Sequence, residues 1–435
     1  MRKSSESPSV TAGRRPTEAD GRRASRGGWW IGTLIGLAVG AAIVVLVFSM
    51  RSGDPDDIWQ AAKLAIDQER IGDAKKQLDL LAKARSPLPR DWMIRGLVAL
   101  AEKRTDDAVD ELKKVPDADP LAGRSWLLIG QAELRRNRAR VAEAALLKAV
   151  KLDPTLTQAH SELIFIYGMQ LRRGDLKRQF NALSQLTDLS FHNVFHWCLL
   201  RNCLWEPGEV AKTLSTFVEA DPSDRHSRLA LADNYRRLGL FEEAGQALEV
   251  LPEDDLQALA ARVLLAMDRH QVDLAEDLLA KGPLDDPDLA RIRGRIALAR
   301  RNGPEAVRYF QIAYEHEPTD HDTLFGLISA YGLVGDADAA SALRQEAKRL
   351  EDFNNLVQRA ATPSAANDVN LVMELGEACA SLGLIPEARA WYKIAIARDP
   401  LDAASQQALF RLNAQTPPQT AAAKQPKSPT PPRNP

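Results

Sequence analysis

Cysteine is nearly missing from this chain: Cys198, Cys203 and Cys379 are the three in 435 residues. So few, so scattered, exclude a disulfide framework and a cysteine-rich metal site. Cys198 and Cys203 stand five apart in a predicted helix, where their side chains diverge too far for an easy bridge. Aromatic residues are also scarce, at 6%, and β-branched runs are confined to one short stretch near the start. Alanine, leucine and arginine are abundant instead, so an all-α fold is expected. Signatures of chemistry are missing as well. There is no GxGxxG, no GxxxxGK followed by Ser or Thr, no HExxH and no GxSxG. Acids and bases are spread along helices as solvated charges, as at Glu242-Glu243 and Arg236-Arg237. No nucleophile, acid/base pair or cofactor loop emerges, and the chain is expected not to be an enzyme, with no cofactor and no catalytic or metal residues. The nearest thing to a metal site is His192 and His196, four apart, with Cys198 and Cys203 following. Cys198 takes a small buried place that points it away from His192, so ordinary packing and surface histidines are expected.

Charge is present but unevenly placed. Residues 1–28 carry seven Lys or Arg against three acids, a net of +4; Arg51, Lys424, Lys427 and Arg433 add four more. Removing these eight positive charges from the total of -2 leaves the body at -10. An acidic body argues against nucleic acid as the main ligand, because phosphate binding needs a basic face.

From Trp29 to Met50 the chain runs twenty-two residues without a charge, WWIGTLIGLAVGAAIVVLVFSM. As a helix this spans about 33 Å, enough to cross a bilayer. Trp29 and Trp30 stand where an interfacial aromatic belt belongs, with Arg26 before the run and Arg51 after it. A cleaved signal peptide has a shorter apolar region and a small-residue cleavage site, neither of which occurs. Seven basic residues before the run, against Asp54, Asp56 and Asp57 after it, place a disordered N-terminal tail in the cytoplasm and the bulk of the chain outside, in the periplasm if the source is bacterial. Gly28, Gly32, Gly36 and Gly40 recur every four residues and form one stripe along the helix. Such a stripe lets two backbones touch in lipid and would pair two copies as a homodimer; glycine is also common in membrane helices, so composition alone remains the other reading.

Beyond residue 50 the sequence repeats. Trp92 and Trp126, Gly96 and Gly130, Ala108 and Ala142, and Pro120 and Pro154 are each 34 apart, and Pro222 lies two further periods beyond Pro154. Other units read Leu231, Ala232, Tyr235, Gly239, Ala244, Leu248; Gly294, Ala306, Phe310, Ala313, Pro318; and Leu375, Gly376, Gly383, Ala388, Tyr392, Ala395, Pro400. This pattern resembles the tetratricopeptide repeat family. The resemblance covers residues 55–413 and implies a right-handed α-solenoid of about ten helix-turn-helix units, preceded by the one transmembrane helix. Units start near 55, 89, 123, 157, 191, 225, 256, 287, 321 and 369. Two steps are 31 residues, with Pro252 and Pro283 cutting the second helix short. The step from 321 to 369 carries fourteen extra residues around Phe353 to Asp368, expected as a loop or an extra helical turn. Small residues, such as Gly130 with Ala142 and Gly376 with Ala388, would let paired backbones approach, while Trp126, Leu146, Phe310 and Tyr392 fill the space between units. A lone unit cannot bury its apolar face, so stability comes from stacking and the ends need caps. The solenoid is taken as 55–400, with 401–413 as a capping helix. From residue 414 a proline-rich, disordered tail follows.

In this family the first helix of each unit lines a concave surface that takes a peptide or helix, and the resemblance implies the same here. Those places hold Trp59, Met93, Leu97, Leu127, Phe165, Phe195, Leu199, Leu229, Leu264, Phe325 and Met373. Interleaved are Arg90, Arg124, Arg135, Arg236, Arg237, Arg291 and Arg295, able to pair with carboxylates on a partner. The same apolar residues would equally serve as packing between first helices. Chaperone-binding members clamp a terminal carboxylate with a Lys and Asn pair on one first helix, and no unit here has that pair. The expected function is a membrane-tethered scaffold that binds and assembles other envelope proteins through the concave face. The alternative is a non-catalytic regulatory or assembly subunit of a membrane enzyme complex.

Overall fold

The computed structural model describes residues 54–202 and 206–415, without the side chains of 201, 202 and 415. The basic segment 1–28, the apolar run 29–50 with its glycine stripe, Cys203 and the chain beyond 415 lie outside the described residues. Among those described there are twenty-one α-helices, one 3-10 turn and no strand, and no helix is long and apolar enough to cross a membrane.

The helices come in ten pairs and a final single helix. They are α1 (Pro55–Asp67) with α2 (Ile71–Ala84), α3 (Pro89–Ala101) with α4 (Thr105–Lys113), α5 (Ala122–Arg135) with α6 (Ala139–Leu152), and α7 (Thr157–Met169) with α8 (Arg173–Leu186). Next come α9 (Phe191–Asn202) and α10 (Pro207–Ala220), α11 (Arg225–Arg237) and α12 (Phe241–Glu249), and α13 (Leu256–Asp268) and α14 (Val272–Ala280). The remainder are α15 (Pro287–Ala299) and α16 (Gly303–His316), α17 (His321–Val334) and α18 (Ala337–Ala360), α19 (Val369–Ser381) and α20 (Ile385–Arg398), and the closing α21 (Ala403–Gln415). First helices begin on the expected frame, the third one residue early. The fourteen extra residues lengthen α18 to 24 residues and end in the 3-10 turn Ala365–Asn367. Of the described residues, those up to Pro87 form one compact unit and those from Leu88 a second. In the first, α1 and α2 pack on each other and bury Ile58, Ala62, Ala65, Ala74, Leu78 and Leu81.

Local chemistry sets these boundaries. Asp224, Asp255, Asp286, Asp320 and Asp368 cap first helices by accepting from backbone N–H groups two or three residues on, at 2.9–3.1 Å. Within most pairs the turn runs through one left-handed residue: Glu69, Lys103, Asn137, Leu171, Gly239, His270, Arg301, Gly335 or Gly383. The N–H after it then reaches back five residues to a carbonyl of the first helix, as Arg104 N to Ala99 O at 2.8 Å and Leu384 N to Cys379 O at 2.8 Å. Six of the nine are not glycine, at a local cost of about 1–2 kcal/mol each, so packing of the pair holds the turn.

That packing has one recurring contact. A Cβ added to Gly96 would stand 2.5 Å from Leu112 Cγ, one on Gly130 2.6 Å from Leu146 Cγ, one on Gly294 2.9 Å from Phe310 Cγ and one on Gly376 2.5 Å from Tyr392 Cε1. The large side chain of each second helix therefore lies over the bare backbone of its own first helix, within the unit and not only between units. Phe310 also reaches Gly326 of the following first helix. The short second helices α12 and α14 leave carbonyl groups at their ends, and an arginine of the next first helix satisfies them. Arg262 donates to Leu248 O, Leu251 O and Pro252 O at 2.6–3.1 Å, and Arg293 donates to Leu279 O, Gly282 O and Pro283 O at 2.5–2.8 Å.

One helix departs from the series. The principal neighbours of α9 are α8, α18 and α20, while α10 packs on α11 and reaches α7. Trp197 stacks on Phe180 at 5.1 Å, Phe191 meets Trp391 edge-on at 5.3 Å, and Lys393 Nζ pairs with Asp188 Oδ1 at 2.8 Å. Phe353 and Val357, from the lengthened part of α18, are buried in the same cluster as Val194, Trp197 and Trp391. The last repeats of the second unit thus fold back onto its middle.

Gly376→Val places two methyl groups where Tyr392 lies. It is expected to lower unfolding free energy by about 1–3 kcal/mol, read from urea denaturation of the full chain, whereas the same change at Gly332, with nothing within 4 Å, shows no such overpacking loss.

Candidate functional site

The first turn of α8 and residues of α11, α13 and α15 line a cavity of about 650 Å³. A second, of about 470 Å³, shares Leu171, Arg173, Gly174, Arg237, Asp288, Arg291 and Asp322 with it. Its far wall is Trp197 and Leu200 of α9, with the junction between α16 and α17. The displaced α9 therefore shapes the site as well as the core.

The first cavity is rich in arginine. Arg172, Arg173, Arg178, Arg236, Arg237, Arg291 and Arg295 line it, against Asp175, Asp233, Asp288 and Asp322. Several of these charges are spent on each other. Arg236 bridges Asp233 at 2.8 Å and Asp268 of the next first helix at 2.5 Å, and Arg237 Nε reaches Asp233 at 2.7 Å. Burial pushes the Asp233 carboxyl up, but Arg237 and Arg236 outweigh that and hold it below the usual range. Arg172 pairs with Glu143 and Asp175, both at 2.8 Å, and Arg178 with Asp175. Arg291 comes only to 3.8 Å from Asp288. Arg173 makes no ion pair within 4 Å among the described residues; its Nε donates to Leu200 O at 3.2 Å. Its surroundings of protein lower its pKa, with Arg237 and Arg291 adding to that and Asp320 and Asp233 opposing it. Arg295 likewise has no ion pair among the described residues. Leu229, Ala232, Ala260, Ala261 and Leu264 supply an apolar floor.

Of the residues expected in a groove, Leu229, Leu264, Arg236, Arg237, Arg291 and Arg295 come together here. Phe165 and Phe325 do not line either cavity; they stand 37% and 39% exposed on α7 and α17. Phe195 and Leu199 are part-buried against the cluster where α9 meets the last repeats. Met93 and Leu127 are core residues. Arg172, Arg173 and Arg178 escaped a reading confined to first helices, because they belong to the start of a second helix. Their signal was the charge of Arg172-Arg173 just past the left-handed Leu171.

His192 and His196 lie with ring centroids 3.9 Å apart, and burial, with His192 adding, pushes His196 down to about 4. Cys198 is buried and free. Among the described residues no group of three or more His, Cys, Asp or Glu is placed to hold a metal ion.

Residues 60–122, 96–156 and 337–403 match the family model described as tetratricopeptide repeat. Among solved structures, the chain is similar to the Cut9–Hcn1 hetero-tetramer of the APC/C, at 15% identity over 88% of this chain and 95% of that one, with a TM-score of 0.31. It is also similar to the C-terminal part of a TPR repeat-containing protein from Cytophaga hutchinsonii, at 11% identity over 62% of this chain and 99% of that one, with a TM-score of 0.29. Those overlaps are too loose to bear on function. No curated protein matches the chain. With the repeat geometry above, the described residues form an all-α repeat solenoid, in which residues 60–156 and 337–403 carry tetratricopeptide repeats.

Proposed function

We propose that this chain is a membrane-tethered scaffold that binds and assembles other envelope proteins. The observation that carries the binding half is the convergence of Leu229, Arg236, Arg237, Arg291 and Arg295, from separate repeats, on one cavity with an apolar floor. A surface of that kind offers apolar contact beside guanidinium groups, of which Arg291 and Arg295 are the least engaged within the protein, and such a combination suits protein recognition. Phe165 and Phe325 offer further exposed rings on α7 and α17, outside the cavity lining. The reading assigns no chemistry to the chain itself. The tether rests on the twenty-two uncharged residues from Trp29 to Met50 and on the basic residues that precede them. They hold the N-terminus in the cytoplasm and the repeats on the other side.

The tether is tested by fusing reporters after Asn413. A periplasm-dependent enzyme is expected to be active there and a cytoplasm-dependent one silent; the reverse pattern refutes the orientation. The binding surface is tested by Phe165→Ala with Phe325→Ala. Both rings are partly open to solvent, so helical circular dichroism stays unchanged, while partner recovery from solubilised membranes falls by about 2 kcal/mol per truncated anchor. Unchanged recovery from the folded double variant removes these rings from the binding surface.

A further inference from the structure

The arginines of the larger cavity differ in what they still have to give. Arg236 is held on two sides by Asp233 and Asp268, and Arg172 by Glu143 and Asp175. Arg237 spends Nε on Asp233. Arg173, Arg291 and Arg295 remain, two of them without an ion pair among the described residues and one with a partner only at 3.8 Å.

We infer that this cavity takes a short acidic segment of a protein partner, its carboxylates held by Arg173, Arg291 and Arg295 and its apolar side chains by Leu229 and Leu264. The inference rests on the scaffold reading and names the class of segment that the scaffold takes.

Three features support it. Arg173 is anchored through Nε to Leu200 O at 3.2 Å, which fixes the guanidinium plane and leaves the paired Nη groups for a carboxylate. Arg291 and Arg295 are one turn apart on α15, so they lie on one side of that helix and can hold successive carboxylates. The lining aspartates work against this, but Asp175 and Asp233 are already paired with two arginines each, which leaves Asp288, 3.8 Å from Arg291, and Asp322 to oppose the seven arginines of the lining. A guanidinium in a protein-lined recess binds a carboxylate more strongly than one in open water. A nucleic acid presents the same sign of charge, but as a long polyanion it would run along a body that carries -10 outside its basic ends. A short carboxylate segment feels the local arginines without that penalty. Lysine-rich segments meet the arginines directly and are repelled.

The test uses the full chain in detergent and a neutral-dye-labelled peptide of alternating glutamate and leucine, with glutamine and lysine counterparts, read by fluorescence anisotropy. The glutamate peptide is expected to bind, at least tenfold more tightly than either counterpart, and more weakly as salt is raised. Free glutamate at the same carboxylate concentration is expected to compete poorly. Arg173→Gln with Arg295→Gln breaks no ion pair and should weaken the peptide at least tenfold, whereas Arg124→Gln, on α5 outside the cavity, leaves it unchanged. Arg295→Gln alone, at an exposed position, should give a several-fold loss and serves if the double variant loses helicity. The inference is overturned if glutamate and glutamine peptides bind alike, if free glutamate competes as well as the peptide, if folded Arg295→Gln and the double variant bind as the native chain does, or if Arg124→Gln loses as much. Partner recovery from membranes that persists while the acidic peptide fails to bind leaves the scaffold reading standing and removes only this one.

Discussion

Leu112 over Gly96, Leu146 over Gly130, Phe310 over Gly294 and Tyr392 over Gly376 are one contact made four times, always between residues sixteen positions apart. Each lets a second helix lie close on the first, because the large side chain enters space that any Cβ would fill. Close pairing also holds the left-handed turn at Lys103, Asn137 and Arg301, where no glycine relieves the backbone. A pair formed this way still has one apolar face uncovered, and stacking on the next pair is what covers it. Four of the pairs, and the turns at Lys103, Asn137 and Arg301 within them, depend on that approach.

The return of the last repeats onto α9 is the second constraint. An aromatic group of Phe180, Phe191, Trp197 and Trp391 joins helices that are about two hundred residues apart in the chain. The lengthened α18 supplies Phe353 and Val357 to the same cluster. The consequence for function is that part of the path along first helices is occupied by the protein itself. Phe195 and Leu199 pack there, and Trp197 and Leu200 wall the smaller cavity. What stays open is the arginine-lined cavity and the exposed rings of Phe165 and Phe325.

Much of the repeat frame was legible because it is local. Period, first-helix starts and the short second helices follow from Gly, Ala and Pro at fixed offsets. Six of the turns were less legible, since Glu69, Lys103, Asn137, Leu171, His270 and Arg301 carry no glycine signal and owe their conformation to packing. Arg262 and Arg293, which close α12 and α14, belong to no sequence pattern, and only the neighbouring helix ends show their role. The site was partly legible. Arg236, Arg237, Arg291 and Arg295 all lie on first helices, where the repeat frame looks for a groove, whereas Arg173 joins them through the fold. No period predicts that α9 turns away from its own unit, because long-range aromatic contacts decide it.

If the fold-back of the last repeats shapes the cavities, α9 should owe its protection to them. Hydrogen exchange of the full chain, native against Trp391→Ala, measures this directly. Trp391 is fully buried and touches Phe191, and its truncation is expected to cost about 3–5 kcal/mol of packing at that contact. Amides of residues 191–202 should then exchange markedly faster, while those of residues 89–135 keep their native rates. Unchanged exchange of residues 191–202 in the variant, or their full exchange in the native chain as fast as an unstructured peptide, contradicts the account.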